Sequence, residues 1–244
     1  ITRDKYSGCA TLFTAVVILA VCWQGPLQAD TVPQTEMVYQ PTWESLSKHT
    51  EVPEWFKDAK MGIYFHWGVY SVPAFGNEWY PRWMHFDGHE VFKHHLEKYG
   101  HPSEFGYHDF VPMFKAEHFD AADWSELFKK AGARFAGPVA EHHDGFAMWK
   151  SKVTPWNAYD KGPHRDITGE LEKAIRGQGM KFITTFHHAR NLQRPNMPGA
   201  PYPQRGHWQS SHYPPVEGMP TSSDDPELVQ MYGRMPEAEW LDQM

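Results

Sequence analysis

The strongest constraint on the fold is an alternation of helix and strand patterns that occurs twice along the chain. Residues 121–131 carry apolar side chains at helical spacing, and residues 134–140 follow as a β-prone run. Residues 167–177 repeat the helical pattern and precede a second β-prone run at 181–186, with glycines in both connections. Because helices that alternate with strands serve as crossovers between parallel strands, the pattern predicts an α/β fold.

The sequence also predicts an earlier strand and the residues that cap the two amphipathic helices. Residues 61–65 form a short apolar run after a helical pattern at 54–59, and they are predicted to be a buried strand. Asp120 or Asp123 is expected to cap the first amphipathic helix, and Thr168 the second. Such side chains accept hydrogen bonds from the free N–H groups at a helix start.

The last part of the chain is predicted to hold a long loop and one helix. Six prolines between residues 195 and 215 mark a loop that is too long to be an idle connection, so it is either functional or disordered. Residues 225–244 are predicted to form a helix that begins near Pro226. An α/β chain is not expected to stop inside a helix, and the first residue is Ile1 rather than Met. We therefore expect the sequence to be truncated.

Residues 1–29 have the pattern of a secretory signal peptide: a basic start, an apolar run at 11–23 and a small-residue cleavage point at 27–29. The apolar run is short for a membrane span, and an uncleaved anchor is the alternative. Cys9 and Cys22 both lie in this segment, so the mature protein would have no disulfide and no cysteine metal site. We expect a secreted or periplasmic protein with no membrane attachment after signal removal.

Charge and aromatic content narrow the choice of partners. The formal net charge of −7, with no basic stretch, argues against a nucleic-acid partner. Aromatic residues make up 15% of the chain, with 11 Trp and 11 Tyr. Such rings stack on sugars and equally fill cores, so composition favours a carbohydrate ligand only slightly.

Each of the three predicted strands is followed by histidine. These residues are His66 after the first strand, His142 and His143 after the second, and His187 and His188 after the third. In parallel α/β folds, ligand sites gather at the C-terminal ends of the strands. We therefore expect the five histidines to face one site, the alternative being that each is bound to a backbone carbonyl.

A metal ion is the first ligand to consider. Together with Glu141 and Asp144, the histidines offer groups that bind zinc. However, neighbouring side chains on an extended chain point to opposite sides, so a His-His pair rarely reaches one ion. No H-x-H or H-E-x-x-H spacing is present. The sequence therefore predicts no metal.

A sugar is the second ligand to consider. Neutral imidazoles donate and accept hydrogen bonds, which suits hydroxyl groups. Trp67, Trp79 and Trp149 lie beside the predicted strands and are suited to cover an apolar sugar face. Glu78 precedes Trp79 in the loop after the first strand, where it either holds a hydroxyl or is an ordinary exposed acid.

Four blocks of sequence closely resemble glycoside hydrolase family 29, the retaining α-L-fucosidases. They occur in the family's order and at fitting spacings, within about residues 45–190. The blocks are residues 55–73, 76–80, 107–110 and 142–149.

The resemblance implies the N-terminal portion of a (β/α)8-like (TIM) barrel over residues 30–244. It also implies hydrolysis of terminal α-L-fucosides from glycans, with retention by double displacement and with no metal or organic cofactor. The expected partner is a fucosylated glycan or glycoconjugate. By position, the residues that match fucose-binding residues of the family are His66, Glu78, Trp79, His142 and His143.

Three further residues, Trp67, His187 and His188, are candidates for substrate contact. Many relatives carry aromatic residues and a serine where residues 184–191 stand here, so the two histidines either reach the sugar or anchor the long loop. The chain also has Glu141 where many relatives carry lysine.

No catalytic residue is assigned in this chain. The family's nucleophile is expected in a Trp-Phe-Asp-like context after a later strand, and Asp87, although it follows Phe86, has no apolar run before it. The nucleophile and the acid/base are therefore expected beyond Met244, and this piece is expected to be inactive. The alternatives are an inactive fucose-binding half-barrel and a His-ligated metal hydrolase.

Overall fold

The computed structural model describes residues 40, 42–48, 52–193, 212–214 and 216–242. The predicted signal peptide and most of the proline-rich loop lie outside these residues. The chain divides into two units, 1–51 and 52–244. In the first unit the structure describes helix α1 (Trp43–Leu46), in which the Thr42 side chain accepts a hydrogen bond from the N–H of Ser45.

The second unit alternates helices and strands. In chain order the elements are α2 (Glu54–Ala59), β1 (Gly62–Phe65), α3 (Tyr80–Trp83), α4 (Glu90–Lys98), α5 (Ala121–Lys130), β2 (Phe135–Glu141), α6 (Ile167–Gly177), β3 (Lys181–Phe182), β4 (Thr185–Phe186), α7 (Pro226–Met231) and α8 (Glu237–Leu241). Short 3-10 helices lie at Val69–Ser71, Tyr107–Met113, His188–Arg190 and Pro220–Ser222. Within the described part of the chain, no helix has the length and apolar character needed to cross a membrane.

The sheet is parallel and is built around β2, which confirms the prediction from the alternating pattern. β1 pairs with one side of β2, with Gly62 opposite Phe135. β3 and β4 both pair in parallel with β2. The predicted strand at 181–186 is therefore two short strands that share one partner.

The interruption between β3 and β4 coincides with a close backbone approach at Gly137 of β2. The N–H of Ile183 donates to the carbonyl oxygen of Ala136 at 3.0 Å. A Cβ placed on Gly137 would lie 1.5 Å from the carbonyl oxygen of Ile183. Only glycine leaves room for this contact.

Aspartates cap the two long helices beside the sheet. Asp120 caps α5, since its side chain accepts from the N–H groups of Ala122 and Asp123. The prediction that Thr168 caps α6 is wrong, because Asp166 accepts from the N–H of Gly169. Thr168 lies inside the first turn and donates instead to the carbonyl of Met148 at 3.0 Å.

The single helix predicted for residues 225–244 is wrong. It begins as expected, with the Asp225 side chain accepting from the N–H of Glu227 and Pro226 in the first turn. It ends at Met231, and Gly233 follows with a positive φ of 66°. Proline at 236 then starts α8, because its ring cannot continue the previous helix.

The core beneath the strand ends joins segments that are distant in sequence. On one side, α6 buries its predicted apolar face through Leu171 and Ile175. On the other, the buried rings of Tyr213 and Tyr232 pack with centroids 4.6 Å apart. Tyr107 lies 6.3 Å from Tyr213. This packing holds the C-terminal segments under the loops that follow the strands.

Gly137→Ala is expected to lower the free energy of unfolding by about 3 kcal/mol or more, because overpacking at a backbone contact forces β2 and residue 183 apart. Gly177→Ala is the matched control, since a Cβ there meets nothing within 4 Å. Urea unfolding of both variants measures the difference. Equal stabilities would contradict the close approach.

Candidate functional site

Four of the five strand-end histidines form one cluster at the C-terminal ends of β1, β2 and β4. The ring centroids of His66 and His142 are 5.4 Å apart, and those of His142 and His187 are 5.1 Å apart. His143 lies 4.8 Å from His187. The predicted convergence therefore holds for these four residues, which we call the histidine cluster.

His142 and His143 both join the cluster because the chain turns where β2 ends. The N–H of Gly145 donates to the carbonyl of His142 at 3.3 Å, and Gly145 has a positive φ of 75°. The two rings lie 4.5 Å apart. The expectation that neighbouring histidines point to opposite sides is thus wrong here, since it applies to extended backbone and these residues form a turn.

Buried Asp144 holds this turn in place. Its Oδ2 accepts from the hydroxyl of Tyr107 at 2.7 Å, and its Oδ1 accepts from the N–H of Phe146 at 3.2 Å. The hydroxyl of Tyr213 donates to the carbonyl oxygen of Asp144 at 2.9 Å. Burial raises the pKa of Asp144 to about 7, although both hydrogen bonds act in the opposite direction. Asp144 therefore supports the histidines from below.

Trp79 and Glu78 lie against the cluster. The Trp79 ring lies 5.1 Å from the ring of His143 and 5.9 Å from that of His142. Glu78 is half-buried and shares the lining of a cavity of about 350 Å³ with His66. Burial raises the pKa of Tyr64, and the charge of Glu78 raises it further. All five residues assigned from the family motifs are thus neighbours.

Tyr64, His212 and Arg190 belong to the site although they were not among the predicted site residues. The Tyr64 hydroxyl lies 3.2 Å from Nε2 of His187 and 3.5 Å from Nε2 of His66. Residues i and i+2 of a strand share a face, so the position of Tyr64 relative to His66 was a usable signal.

His212 had no such signal. It is 1% exposed and lies 5.5 Å from the rings of Trp79 and His143. Its placement does not follow from local sequence, because its neighbours in the site lie far along the chain. The Arg190 guanidinium lies 5.8 Å from the centre of the Trp79 ring. Its position just after the third predicted strand was a usable signal.

Two predicted site residues lie elsewhere. The indole of Trp67 packs against Phe119 and Trp124, each 5.1 Å away, as part of the core. His188 turns away from the cluster, since its Nδ1 is bonded to Glu141 and its ring stacks on Trp240 at 5.0 Å. The structure therefore gives both side chains packing roles.

Three imidazoles of the cluster, those of His142, His143 and His187, are neutral at neutral pH. Burial lowers the pKa of His142 to about 2, and nearby histidines add to this effect. Burial also lowers the pKa of His143 to about 4 and lowers that of His187. A neutral imidazole offers one donor and one acceptor, which suits hydroxyl groups, and its lone pair also suits a metal.

Three of these residues, His66, His142 and His187, have ring nitrogens within 4.8 Å of one another. A tetrahedral zinc ion with Zn–N bonds near 2.0–2.1 Å holds its ligand nitrogens roughly 3.4 Å apart. Three ring nitrogens within 4.8 Å of one another could hold an ion. They could equally bond hydroxyl groups, since each neutral imidazole offers one donor and one acceptor.

Comparisons with known proteins find similarity to α-L-fucosidases. A sequence model described as α-L-fucosidase matches residues 27–244. The tissue α-L-fucosidase of Rattus norvegicus is 43% identical over 146 residues, which cover 59% of this chain and 31% of the rat protein. The tissue α-L-fucosidase of Homo sapiens is 33% identical over 235 residues, or 93% of this chain and 46% of the human protein.

Solved structures give a similar picture. The crystal structure of Thermotoga maritima α-fucosidase in complex with fucose has a TM-score of 0.58 and 41% identity, over 61% of this chain and 37% of that chain. This chain therefore spans between about a third and a half of the length of the relatives it matches.

Asp144→Asn is expected to change how stability depends on pH. The folded protein keeps a proton on Asp144 between pH 3.8 and about 7, where the unfolded chain releases it. The contribution of Asp144 is therefore complete below about pH 4 and is lost as the pH rises towards 7. Over this window the free energy of unfolding of the wild type should fall relative to that of the variant.

Urea unfolding of both proteins at a series of pH values measures this difference. The asparagine side chain can still form hydrogen bonds with Tyr107 and Phe146. A loss of stability that is the same at every pH is then distinguished from a loss that changes with pH. Parallel pH profiles for the two proteins would show that Asp144 does not titrate in this range.

Proposed function

This chain belongs to the α-L-fucosidase family, and we propose that it acts in the hydrolysis of terminal α-L-fucosides from glycans. Its predicted fold class, the N-terminal portion of a (β/α)8-like barrel, is confirmed by the likeness to the Thermotoga maritima enzyme. The observation that carries the proposal is the histidine cluster beside Trp79 and Glu78. A fucosylated glycan or glycoconjugate is the proposed substrate.

Each part of the site has a chemical task in this proposal. The ring nitrogens of the histidine cluster donate to and accept from the sugar hydroxyls. Burial keeps His142 and His143 neutral in the working pH range, so each offers one donor and one acceptor. The Trp79 ring covers an apolar face of the sugar. The Glu78 carboxylate accepts hydrogen bonds from hydroxyl groups at the mouth of the cavity.

We further propose retention of configuration by double displacement. A carboxylate attacks the anomeric carbon while a carboxylic acid gives its proton to the departing glycosidic oxygen, and water then releases the sugar from the enzyme. Asp87 is a poor candidate for the nucleophile because it lies in an exposed turn after α3. Glu141 is bonded to His188, and Asp144 is buried under the cluster. We place the nucleophile and the acid/base in sequence that follows Met244.

Export is also proposed, because residues 1–29 have the composition of a secretory signal peptide. The product would then act as a secreted or periplasmic enzyme. Signal removal at residues 27–29 is the step that N-terminal sequencing of the exported protein would detect.

We expect the chain to bind L-fucose, and we expect replacement of a histidine of the cluster to weaken that binding. His142→Ala should weaken binding by about 2–4 kcal/mol, roughly 30- to 1000-fold, since it removes a polar contact in a dry site. His118→Ala, at an exposed position with no role in the cluster, is the matched control. Isothermal titration calorimetry with L-fucose measures the affinity of the wild type and of the two variants.

Two results would overturn this proposal. Equal affinities of the wild type and His142→Ala would remove the histidine from the sugar site. Cleavage of an aryl α-L-fucoside by residues 30–244 alone would show that both catalytic carboxylates lie within this chain. For residues 30–244 alone, the expected result is binding of L-fucose without cleavage of a fucoside. The inactive fucose-binding alternative predicts the same result for a longer protein as well.

A metal hydrolase is the second candidate, favoured by the three ring nitrogens within 4.8 Å of one another. Under the sugar-binding proposal, treatment with a strong chelator should leave the affinity for L-fucose unchanged. Elemental analysis of the purified protein should find no stoichiometric zinc. A tightly bound ion whose removal abolishes hydrolysis in a longer protein would favour the metal candidate instead.

A further inference from the structure

Glu141 is a buried carboxylate at the end of β2 that the proposed mechanism does not use. It is 5% exposed and lies directly before the histidine pair. Its Oε1 accepts a hydrogen bond from Nδ1 of His188. A carboxylate at such depth is costly unless it is hydrogen-bonded, and a well-packed apolar side chain at the same place is often no less stable. Its placement calls for an explanation other than stability.

Three hydrogen bonds join the turn after β2 to the turn after β4. The first is the bond between the Glu141 carboxylate and His188. The second runs from the N–H of His187 to the carbonyl of Glu141 at 2.9 Å. The third runs from Nδ1 of His143 to the carbonyl oxygen of His187 at 2.8 Å. The two turns therefore form one hydrogen-bonded unit.

The side-chain bond is the part of this unit that fixes the 3-10 turn His188–Arg190. The His188 ring stacks on Trp240 with an angle of 7° between the planes, which holds the face of the ring. The hydrogen bond from Nδ1 of His188 to the Glu141 carboxylate fixes the rotation of the ring in its plane and keeps a proton on Nδ1. With His188 held at both its face and its edge, the neighbouring carbonyl of His187 is aimed at Nδ1 of His143.

The consequence reaches the cluster through His143. Because Nδ1 of His143 donates to this carbonyl, its Nε2 is left as an acceptor directed away from the backbone. The His143 ring also lies 5.1 Å from Trp79 and 4.8 Å from His187. A rotation of the 187–190 turn would therefore change the tautomer or the orientation of a sugar-binding imidazole.

We propose that Glu141 is a positioning residue, which acts through His188 to fix the tautomer and orientation of His143 for the sugar. The ligand in this inference rests on the proposed function, whereas the hydrogen-bonded unit does not. The alternative is that the pair only anchors α8 through Trp240.

The test compares Glu141→Gln with Glu170→Gln in the full chain. Both substitutions replace a carboxylate that accepts a side-chain hydrogen bond, and Glu170 accepts from Arg165 at the start of α6. Glu141→Gln should weaken L-fucose binding by about tenfold, since a neutral amide forms a weaker bond than a carboxylate. Glu170→Gln should bind L-fucose like the wild type.

Two further measurements separate positioning from anchoring. The ring N–H of His143 should be protected from exchange in proton–nitrogen NMR spectra of the wild type and lose that protection in Glu141→Gln. His188→Asn, whose amide can replace Nδ1 as donor, should retain most of the affinity, whereas His188→Ala should lose about as much as Glu141→Gln.

The inference is overturned if Glu141→Gln loses stability but keeps both the protected His143 ring proton and the wild-type affinity. It is also overturned if His188→Ala binds L-fucose like the wild type. If the wild type does not bind L-fucose, the proposed function fails, and the protection of the His143 ring proton alone then decides the positioning role.

Discussion

Parallel hydrogen bonding along β2 is the constraint on which the rest of the structure depends. This strand pairs with β1 on one side and with β3 and β4 on the other. Because the strands are parallel, their carboxyl ends meet at one edge, and the residues that follow them must share one space. The histidine cluster is the direct result. The close packing of Gly137 against residue 183 keeps the strands near enough for their loops to touch.

Burial then gives the cluster its chemical character. Imidazoles that lie together in a dry environment resist protonation, because each added charge would be poorly solvated and would repel its neighbours. His142 shows both effects. The same burial keeps a proton on Asp144 below them. His142 and His143 therefore stay uncharged at neutral pH, which suits an uncharged ligand rich in hydroxyl groups.

Local sequence predicted the strands, the parallel sheet and the convergence of four histidines, because period, glycine turns and strand ends are local signals. Local sequence did not predict the placement of side chains whose contacts lie far along the chain. Trp67 follows a strand, yet its indole packs against Phe119 in the core. His188 is adjacent to His187, yet its Nδ1 is bonded to Glu141 and its ring does not join the cluster. His212 contacts His143 across a wide separation in the chain, which no periodicity describes.

The proline-rich segment leaves and returns at nearly the same place. The N–H of His212 donates to the carbonyl oxygen of Arg190 at 3.0 Å, and the carbonyl of His212 accepts from Arg82 at 3.1 Å. Residues 190 and 212 are thus held beside each other by hydrogen bonds of their own. A substitution between residues 194 and 211 can therefore change the histidine cluster only by disturbing these bonds or by touching the site directly. Sequence drift in that stretch is separated from the position of His212.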